Sequence, residues 1–440
     1  MSRTLVKFVR TALPFLGMAY ITGQAQTVLT VGQPGTPCPS AQYATIGAAV
    51  AAAAPGDTIA ICPALYPEQL IVAMPLTLVG LDVVTASKEG KYGVNRVLIQ
   101  PTLTDLQSLP YEAVITVMNT SGVTIRNLAI DASLNSVSGC SPTLADVAFF
   151  NSSGAVETSA LSGAELQDVS TCSGLFGNGF GVLVDNDGRL PGPCNVSVSQ
   201  NSIHDYEQDG IYVLGPGSGV SSAVVNVTIA GNSISGVGPA SGTLQFGVFL
   251  NGAVGYITGN RISEGLCGPL TLSDCYNLRS EGITLRSVGA GTVVDGNIIN
   301  NVQSGIFING VTQAKITNNV IGNVEGLDGM DIEGLTGSLI DGNLIFNAFP
   351  VSNESCGIWE YSGTGDAGNT ISNTTVNDAY CGVEYVTADT VKPGTYFNTL
   401  YTTFNGDLNP NGLPPTEPGQ PSAGPASADF RASDHPATLR

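Results

Sequence analysis

Three acidic side chains lie close together in the stretch "EGLDGMDIEG": Asp328, Asp331 and Glu333. Carboxyl groups at this spacing are capable of two kinds of chemistry. Two of them in different surroundings work as general acid and general base on a glycosidic bond. Three of them offer the clustered oxygens that a calcium ion takes. On a β-strand, Asp331 and Glu333 fall on the same face with Cα atoms about 6.5–7 Å apart, which suits an inverting hydrolase. The competing explanation is a solvated surface, since the chain holds 35 Asp and Glu residues and charged side chains are mostly exposed.

The elements that would position these acids show themselves as a repeat. A corner of the form x-[Gly/Asn/Gln]-Asn-x-Ile recurs with its Asn at 201, 232, 260, 297, 319 and 343, and in a looser copy at Asn373. A glycine followed by an apolar residue recurs at Gly181, Gly210, Gly247, Gly282, Gly305, Gly329, Gly357 and Gly382. The tightest spacings are 22 residues from Asn297 to Asn319 and 24 from Asn319 to Asn343. Short alternating runs at such a period suit one coil of a parallel β-helix with two or three strands per turn, not a solenoid of paired helices. Coils stack about 4.8 Å apart, so about a dozen make a rod of roughly 55–60 Å. The corner Asn tolerates the left-handed conformation, and its amide is able to bond the coils above and below. The fold expected is all-β: a single-stranded right-handed parallel β-helix, its hand taken from the general chirality of crossovers.

The glycines also assign faces. With each glycine at position zero, residues at +1 and +3 are apolar and point inward, so +2 and +4 point out. The +2 row then reads Tyr212, Phe249, Thr284, Phe307, Asp331, Trp359 and Glu384, and the +4 row Leu214, Asn251, Arg286, Asn309, Glu333, Tyr361 and Val386. Aromatic rings offer flat apolar faces to sugar C–H groups, while carboxylates and amides bond hydroxyls. Asp331, Glu333 and Glu384 are therefore the candidate catalytic acids, and Trp359, Tyr361, Phe307, Asn309, Arg286 and Tyr212 the candidate substrate contacts. Arg286 suits a sugar carboxylate, although pairing with Glu281 or Asp331 would use it equally well. Glu360, at the inward +3 position, points to a local shift of register. His204, beside Asp205, Glu207 and Asp209, is a lesser proton-donor candidate, since a single histidine in a polar loop is more often simply exposed.

Residues 43–80, "YATIGAAVAAAAPGDTIAICPALYPEQLIVAMPLTLVG", open with an Ala-rich helix over about 43–54, stopped by "PGD" and followed by strands. A helix here would cover the open end of the solenoid, where strand edges are unpaired. This segment resembles the opening of the pectin-lyase-like right-handed parallel β-helix superfamily, particularly pectinesterases and related exported β-helix repeat proteins. The resemblance implies the fold and a carbohydrate partner. It carries over no catalytic residue. The Asp-Phe-Ile-Phe-Gly and Gly-Arg-x-Trp segments of pectinesterases are missing, and "DNDGR" (185–189) and "QDGIYV" (208–213) echo polygalacturonases without their histidine.

Residues 1–25 read as a secretory signal peptide: Arg3, Lys7 and Arg10, then an apolar run too short to span a bilayer, then Ala25. Residues 26–62 would form the cap and first strand, 63–405 the β-helix with loop insertions, and 406–440 a Pro/Ser/Ala-rich disordered tail. The expected location is secreted, periplasmic or at the cell surface. A formal charge of −20 repels nucleic acid and anionic lipid, and no membrane insertion is expected. Polysaccharide or cell-surface glycan is the expected partner. Export permits disulfides among the nine cysteines. Cys38 with Cys62 would pin the cap, Cys356 with Cys381 would lie in adjacent coils, and Cys267 with Cys275 would close a loop. Cys140, Cys172 and Cys194 leave one unpaired. No cofactor is required, calcium at Asp328, Asp331 and Glu333 being the one metal considered. Two histidines and five methionines without clustering disfavour copper. Two functions follow: an exported β-helix that binds and cleaves polysaccharide as a lyase or glycoside hydrolase, or a non-catalytic adhesion or structural module whose insertions at 133–180, 186–195 and 263–280 make the contacts.

Overall fold

The structure is a computed structural model describing residues 26–401, apart from connecting segments 35–37, 82–95, 104–110, 138–141, 167–177, 187–192, 217–224, 239–243, 266–279, 325–327, 349–355, 361–366, 385–389 and 392–395. Short alternating runs close into three parallel sheets. Each turn of chain gives one strand to each sheet, as in Val293–Asp295, Ile298–Val302 and Ser304–Thr312. The first sheet has 13 strands, from Val28–Val31 to Thr390–Val391. The second and third are joined in a hydrogen-bonded system of 22 strands. Strands lie in register with those one coil away, so Ile283, Ile306, Met330 and Ile358 stack in the core. The architecture is the expected parallel β-helix with three strands per coil.

The Asn corner works by dividing two tasks between neighbours. The left-handed conformation belongs to the residue before the ladder Asn: Gln200 (φ 56°), Gly231 (65°), Gly259 (62°), Gly296 (64°), Asn318 (55°) and Gly342 (67°). That turn carries the following Asn inside, where its amide stacks on the next. Asn232 Nδ2 donates to Asn260 Oδ1 at 2.9 Å, Asn260 to Asn297 at 2.9 Å and Asn297 to Asn319 at 3.0 Å. Each amide also donates to a first-sheet carbonyl, as Asn260 does to Ile229 at 2.9 Å. Ser159 begins the row by donating its N–H to Asn201 Oδ1. The looser copy is offset by one residue: Asn373 takes the left-handed turn (φ 48°), and Thr374 occupies the buried ladder position.

At the N-terminal end the helix is Ile46–Ala52, shorter than the Ala-rich run. Tyr43 is instead bridged to Val31, and Ala53 is extended. Thr45 Oγ1 accepts from Ala48 N–H at 3.2 Å. The Glu68 carboxylate reaches back to the N–H groups of Ile46 and Gly47, both at 2.8 Å, satisfying donors that a helix start leaves open. Ile46 and Ala49 are buried against the first coils. The Cys38–Cys62 disulfide ties this cap to the end of strand Thr58–Ile61, with Cα atoms 6.2 Å apart. Cys356 is also disulfide-bonded, and the cysteine in register with it is Cys381. Cys194 is the free, buried cysteine among the described residues. Cys140, Cys172, Cys267 and Cys275 lie outside them, as do the leader and the tail.

Glu360 corrects one expectation. No register shift occurs there: Glu360 pairs with Ile332 as the repeat requires, and the carboxyl is fully buried at a core position.

Candidate functional site

The outward side of the third sheet is built around its repeated glycines. A Cβ on Gly210, Gly247 or Gly282 would stand 2.3–2.4 Å from the Cγ2 of a core isoleucine in the second sheet, closer than packed atoms allow. Each glycine thus faces in, as does the residue after it. The residue before the glycine and the one two after it consequently share the outer side. Contacts bear this out, since the Phe246 and Phe249 rings meet at 5.2 Å and Thr284 Oγ1 donates to the Glu281 carboxylate.

Three rows follow, each in register from coil to coil. The residues before the glycines give Phe180, Asp209, Phe246, Glu281 and Ser304. The residues two after them give Leu183, Tyr212, Phe249, Thr284, Phe307, Asp331, Trp359 and Glu384. A rim four after them carries Asp185, Leu214, Asn251, Arg286, Asn309 and Glu333.

The expectation of a solvent-facing stripe needs correction at the middle row. Phe249, Thr284, Phe307 and Asp331 are buried, while Tyr212 and Trp359 are half-buried. These side chains leave the core yet are covered; nearby, Phe180 and Leu183 belong to one small apolar layer and Leu244, Phe246 and Phe249 to another, with Tyr212 packed against both. Phe180 stacks on Tyr212 at 5.3 Å, and Tyr212 meets Phe249 edge-on at 5.2 Å. The rim is the accessible part. Arg286 is exposed, and Asn251, Asn309 and Glu333 are half-buried. Its guanidinium carbon stands 5.4 Å from the centroid of the Phe249 ring.

The acidic trio is spread over three depths. Asp328 is buried and accepts from Cys356 N–H at 2.6 Å. Asp331 lies in the covered row between Phe307 and Trp359, and Glu333 on the rim accepts from Asn309 Nδ2 at 2.9 Å. Among the described residues no group of three His, Cys, Asp or Glu converges as a metal site would require. Glu384 continues the row past Trp359, its side chain lying outside the described residues, as does all of Tyr361. His204 is on the second sheet, away from this face, with Nδ1 2.8 Å from Asp205 Oδ2.

Two acids that the periodic reading passed over stand in the first row. Asp209 is fully buried, and neither carboxyl oxygen has a hydrogen-bond partner. Burial, and then the Glu281 carboxylate two coils away, push its pKa well above the ordinary range. Beside it, the Tyr206 hydroxyl, one Glu207 oxygen and Gln245 Oε1 are likewise unpartnered. Burial raises the Tyr206 and Glu207 pKa values. The available signal was an acid immediately before a marker glycine, in "EQDGIYV", "LRSEGITL" and "GLDGMDI". In sequence such an acid looks like an ordinary turn residue.

Comparison with known proteins bears on the fold. A family profile described as a right-handed β-helix region matches residues 169–399. No curated protein matches the chain. Among solved structures, the Dettilon tailspike protein gp208 is similar at a TM-score of 0.51 and 15% identity, over 83% of this chain and 68% of its own. The A-module of mannuronan C-5 epimerase AlgE4 from Azotobacter vinelandii gives 0.43 and 12%, over 81% and 89%. Pectin methylesterase from carrot gives 0.38 and 12%, over 84% and 88%. At these identities the tailspike speaks for the fold alone.

Proposed function

This chain belongs to the right-handed β-helix family, and from that premise we propose that it binds polysaccharide along the outward side of the third sheet and cleaves it there. One observation carries the reading. Six successive coils each offer one accessible aromatic or polar side chain on the same side: Tyr212, Asn251, Arg286, Asn309, Glu333 and Trp359. At one strand spacing per coil this run is about 24 Å long, the reach of several sugar rings. Tyr212 and Trp359 bring half-buried aromatic side chains to the two ends of this run, and the amides and the acid between them bond hydroxyls. Phe307 lies beneath and supports the surface.

For cleavage the assigned acids are Asp331, Glu333 and Glu384. Asp331 under the surface and Glu333 on the rim give one strand two carboxyls in unlike surroundings, which is how acid and base roles are divided. Calcium is a second use of Asp328, Asp331 and Glu333 that the same test addresses. The Cys38–Cys62 disulfide supports an oxidising compartment as the place of action. Among the described residues no helix is long and apolar enough to cross a membrane.

The burial of Asp331, Phe249 and Phe307 favours a second reading, a non-catalytic adhesion or structural module. The two separate when the protein is incubated with neutral and acidic polysaccharides, with and without calcium, following new reducing ends and unsaturated-product absorbance. Product that vanishes in the Asp331→Ala/Glu333→Ala double variant supports the enzyme. Absorbance marks a lyase, and reducing ends alone a hydrolase. Binding without product across the panel leaves the adhesion module.

A further inference from the structure

The outward side of the second sheet carries residues that the third-sheet reading leaves unused. Ser162, His204, Ser235 and Ser263 stand in register there, one on each of four successive coils. Consecutive side chains on a strand point to opposite faces, so an acid directly after His204 would ordinarily leave from the other side of the sheet. Asp205 breaks that alternation by turning left-handed, with φ 54°, a conformation that Asp tolerates better than most residues. Its carboxylate consequently meets the ring: Oδ2 lies 2.8 Å from His204 Nδ1. The imidazole remains accessible, with 44% of its side chain exposed.

An imidazole held at Nδ1 by a carboxylate has its tautomer and orientation set and presents Nε2 as a base. Among the described residues no other group engages His204 Nε2. Of the two register neighbours, Ser235 donates its hydroxyl to Gly236 O at 3.3 Å, whereas the Ser162 hydroxyl is uncommitted among the described residues. Asp131, on the far side of Ser162, does not compete for it, being bonded to Gln100 Nε2 and Ser133 N–H. Burial and then the Asp205 carboxylate raise the pKa of Glu165, which sets that carboxylate toward the coil of Ser162. One strand spacing, about 4.8 Å, separates the backbones of Ser162 and His204. Serine rotation covers the remaining distance to Nε2, a bond that apo sites commonly leave loose. An exposed serine or histidine alone carries no chemistry. Nucleophile, base and orienting acid side by side, with the base–acid bond already made, are what activates a serine hydroxyl. Exposed Ser202 and Ser233 flank the row and suit a hydroxyl-rich partner.

We propose that the second sheet carries a separate esterase site, with Ser162 as nucleophile, His204 as general base and Asp205 as positioning residue, acting on acyl esters of hydroxyl-rich alcohols such as sugars. Ser162 Oγ attacks the ester carbonyl carbon, and its proton passes to His204 Nε2. The bond from that carbon to the alcohol oxygen breaks, and the alcohol leaves with the proton. Water then attacks the acyl-serine, giving a proton to Nε2; the carboxylic acid departs as that proton returns to Ser162 Oγ. The test is labelling of the full chain with a fluorophosphonate, mapped by peptide mass, alongside hydrolysis of p-nitrophenyl acetate. The label is expected on Ser162. Ser162→Ala should abolish labelling and hydrolysis, and His204→Gln should lower both about a hundredfold, within the range of general-base catalysis. Asp205→Asn should lower kcat with KM unchanged, Asp205→Glu should restore part of it, and Ser235→Ala should change neither readout. An unlabelled Ser162 overturns the inference, as does hydrolysis above the unfolded-protein background in Ser162→Ala or its loss in Ser235→Ala. The wild-type label needs no variant, so it decides even where a substitution disturbs folding. Neither readout uses a polysaccharide, so failure here leaves the third-sheet reading standing.

Discussion

Two sets of buried polar side chains run beside the core, and they differ in how fully they are hydrogen-bonded. The ladder from Asn201 to Asn343 is saturated: Asn260 donates to Ile229 O and Asn297 Oδ1, and accepts from Asn232 N–H and Nδ2. The corner before the third sheet gathers Tyr206, Glu207, Asp209 and Gln245 with unpartnered atoms on each. The ladder repeats one residue type that both donates and accepts, so every coil meets its match one strand away. At the corner, oxygens of Glu207, Asp209 and Gln245 and the Tyr206 hydroxyl are left without partners. Burial and the Glu281 carboxylate favour the protonated form of Asp209 here. Polar burial in this protein therefore has two forms, one a bonded ladder and the other a set of groups whose pKa values burial raises.

The contrast breaks most sharply at the ladder. Asn260→Ala removes a four-fold bonded amide and orphans the groups around it, at a cost on the order of 3–5 kcal/mol. Urea unfolding should show this, and a loss below 1 kcal/mol would mean that the ladder is not what holds the corner.

An intermediate effect follows from pH. Asp209 has a folded-state pKa raised above its ordinary 3.8. Its contribution is fully present below the unfolded pKa and is lost as pH rises toward the folded value, by up to about 1.4 kcal/mol per pH unit. Asp146, raised by burial and then by Asp131, acts in the same direction. Thermal midpoints measured from pH 4 to 8 should fall with pH in wild type and fall less in Asp209→Asn. Parallel curves would show that Asp209 keeps no proton in the fold. Asp57 works oppositely, its pKa lowered by the Ala54 and Thr27 N–H groups, so its share disappears only in more acidic solution.

The smallest effect has the opposite sign to the first. Tyr206→Phe removes a buried hydroxyl that has no partner and should leave stability unchanged or raise it by about 1 kcal/mol. If it destabilises instead, that hydroxyl is bonded in solution and the corner is not short of donors. A stabilised Tyr206→Phe or Asp209→Asn with weakened glycan binding or cleavage would place this corner in the functional site.

Much of this was legible along the chain because a solenoid writes its geometry periodically. Asn at one position and glycine at another gave the coils, the inward Ile306, Ile308, Met330 and Ile332, and the alignment of Phe307, Asp331 and Trp359. The depth of those outward residues was not legible. Alternation tells which side of a strand a side chain leaves from, and whether that side is covered depends on chain from elsewhere. Glu360 misled for a related reason: a carboxyl at an inward position looks like a broken register, yet the register is continuous. Asp209 and Glu281 were hidden because an acid before a glycine also reads as a turn.

By itself the sequence determined the β-helix, its capping helix and the cap disulfide, since each depends on local pattern or on cysteines brought near by neighbouring coils. It also determined which residues stack, because strands of equal period fall into register. Only the tertiary structure decided which polar groups find partners and which acids are under cover. Those outcomes rest on distances between side chains from different coils, which no spacing along the chain contains.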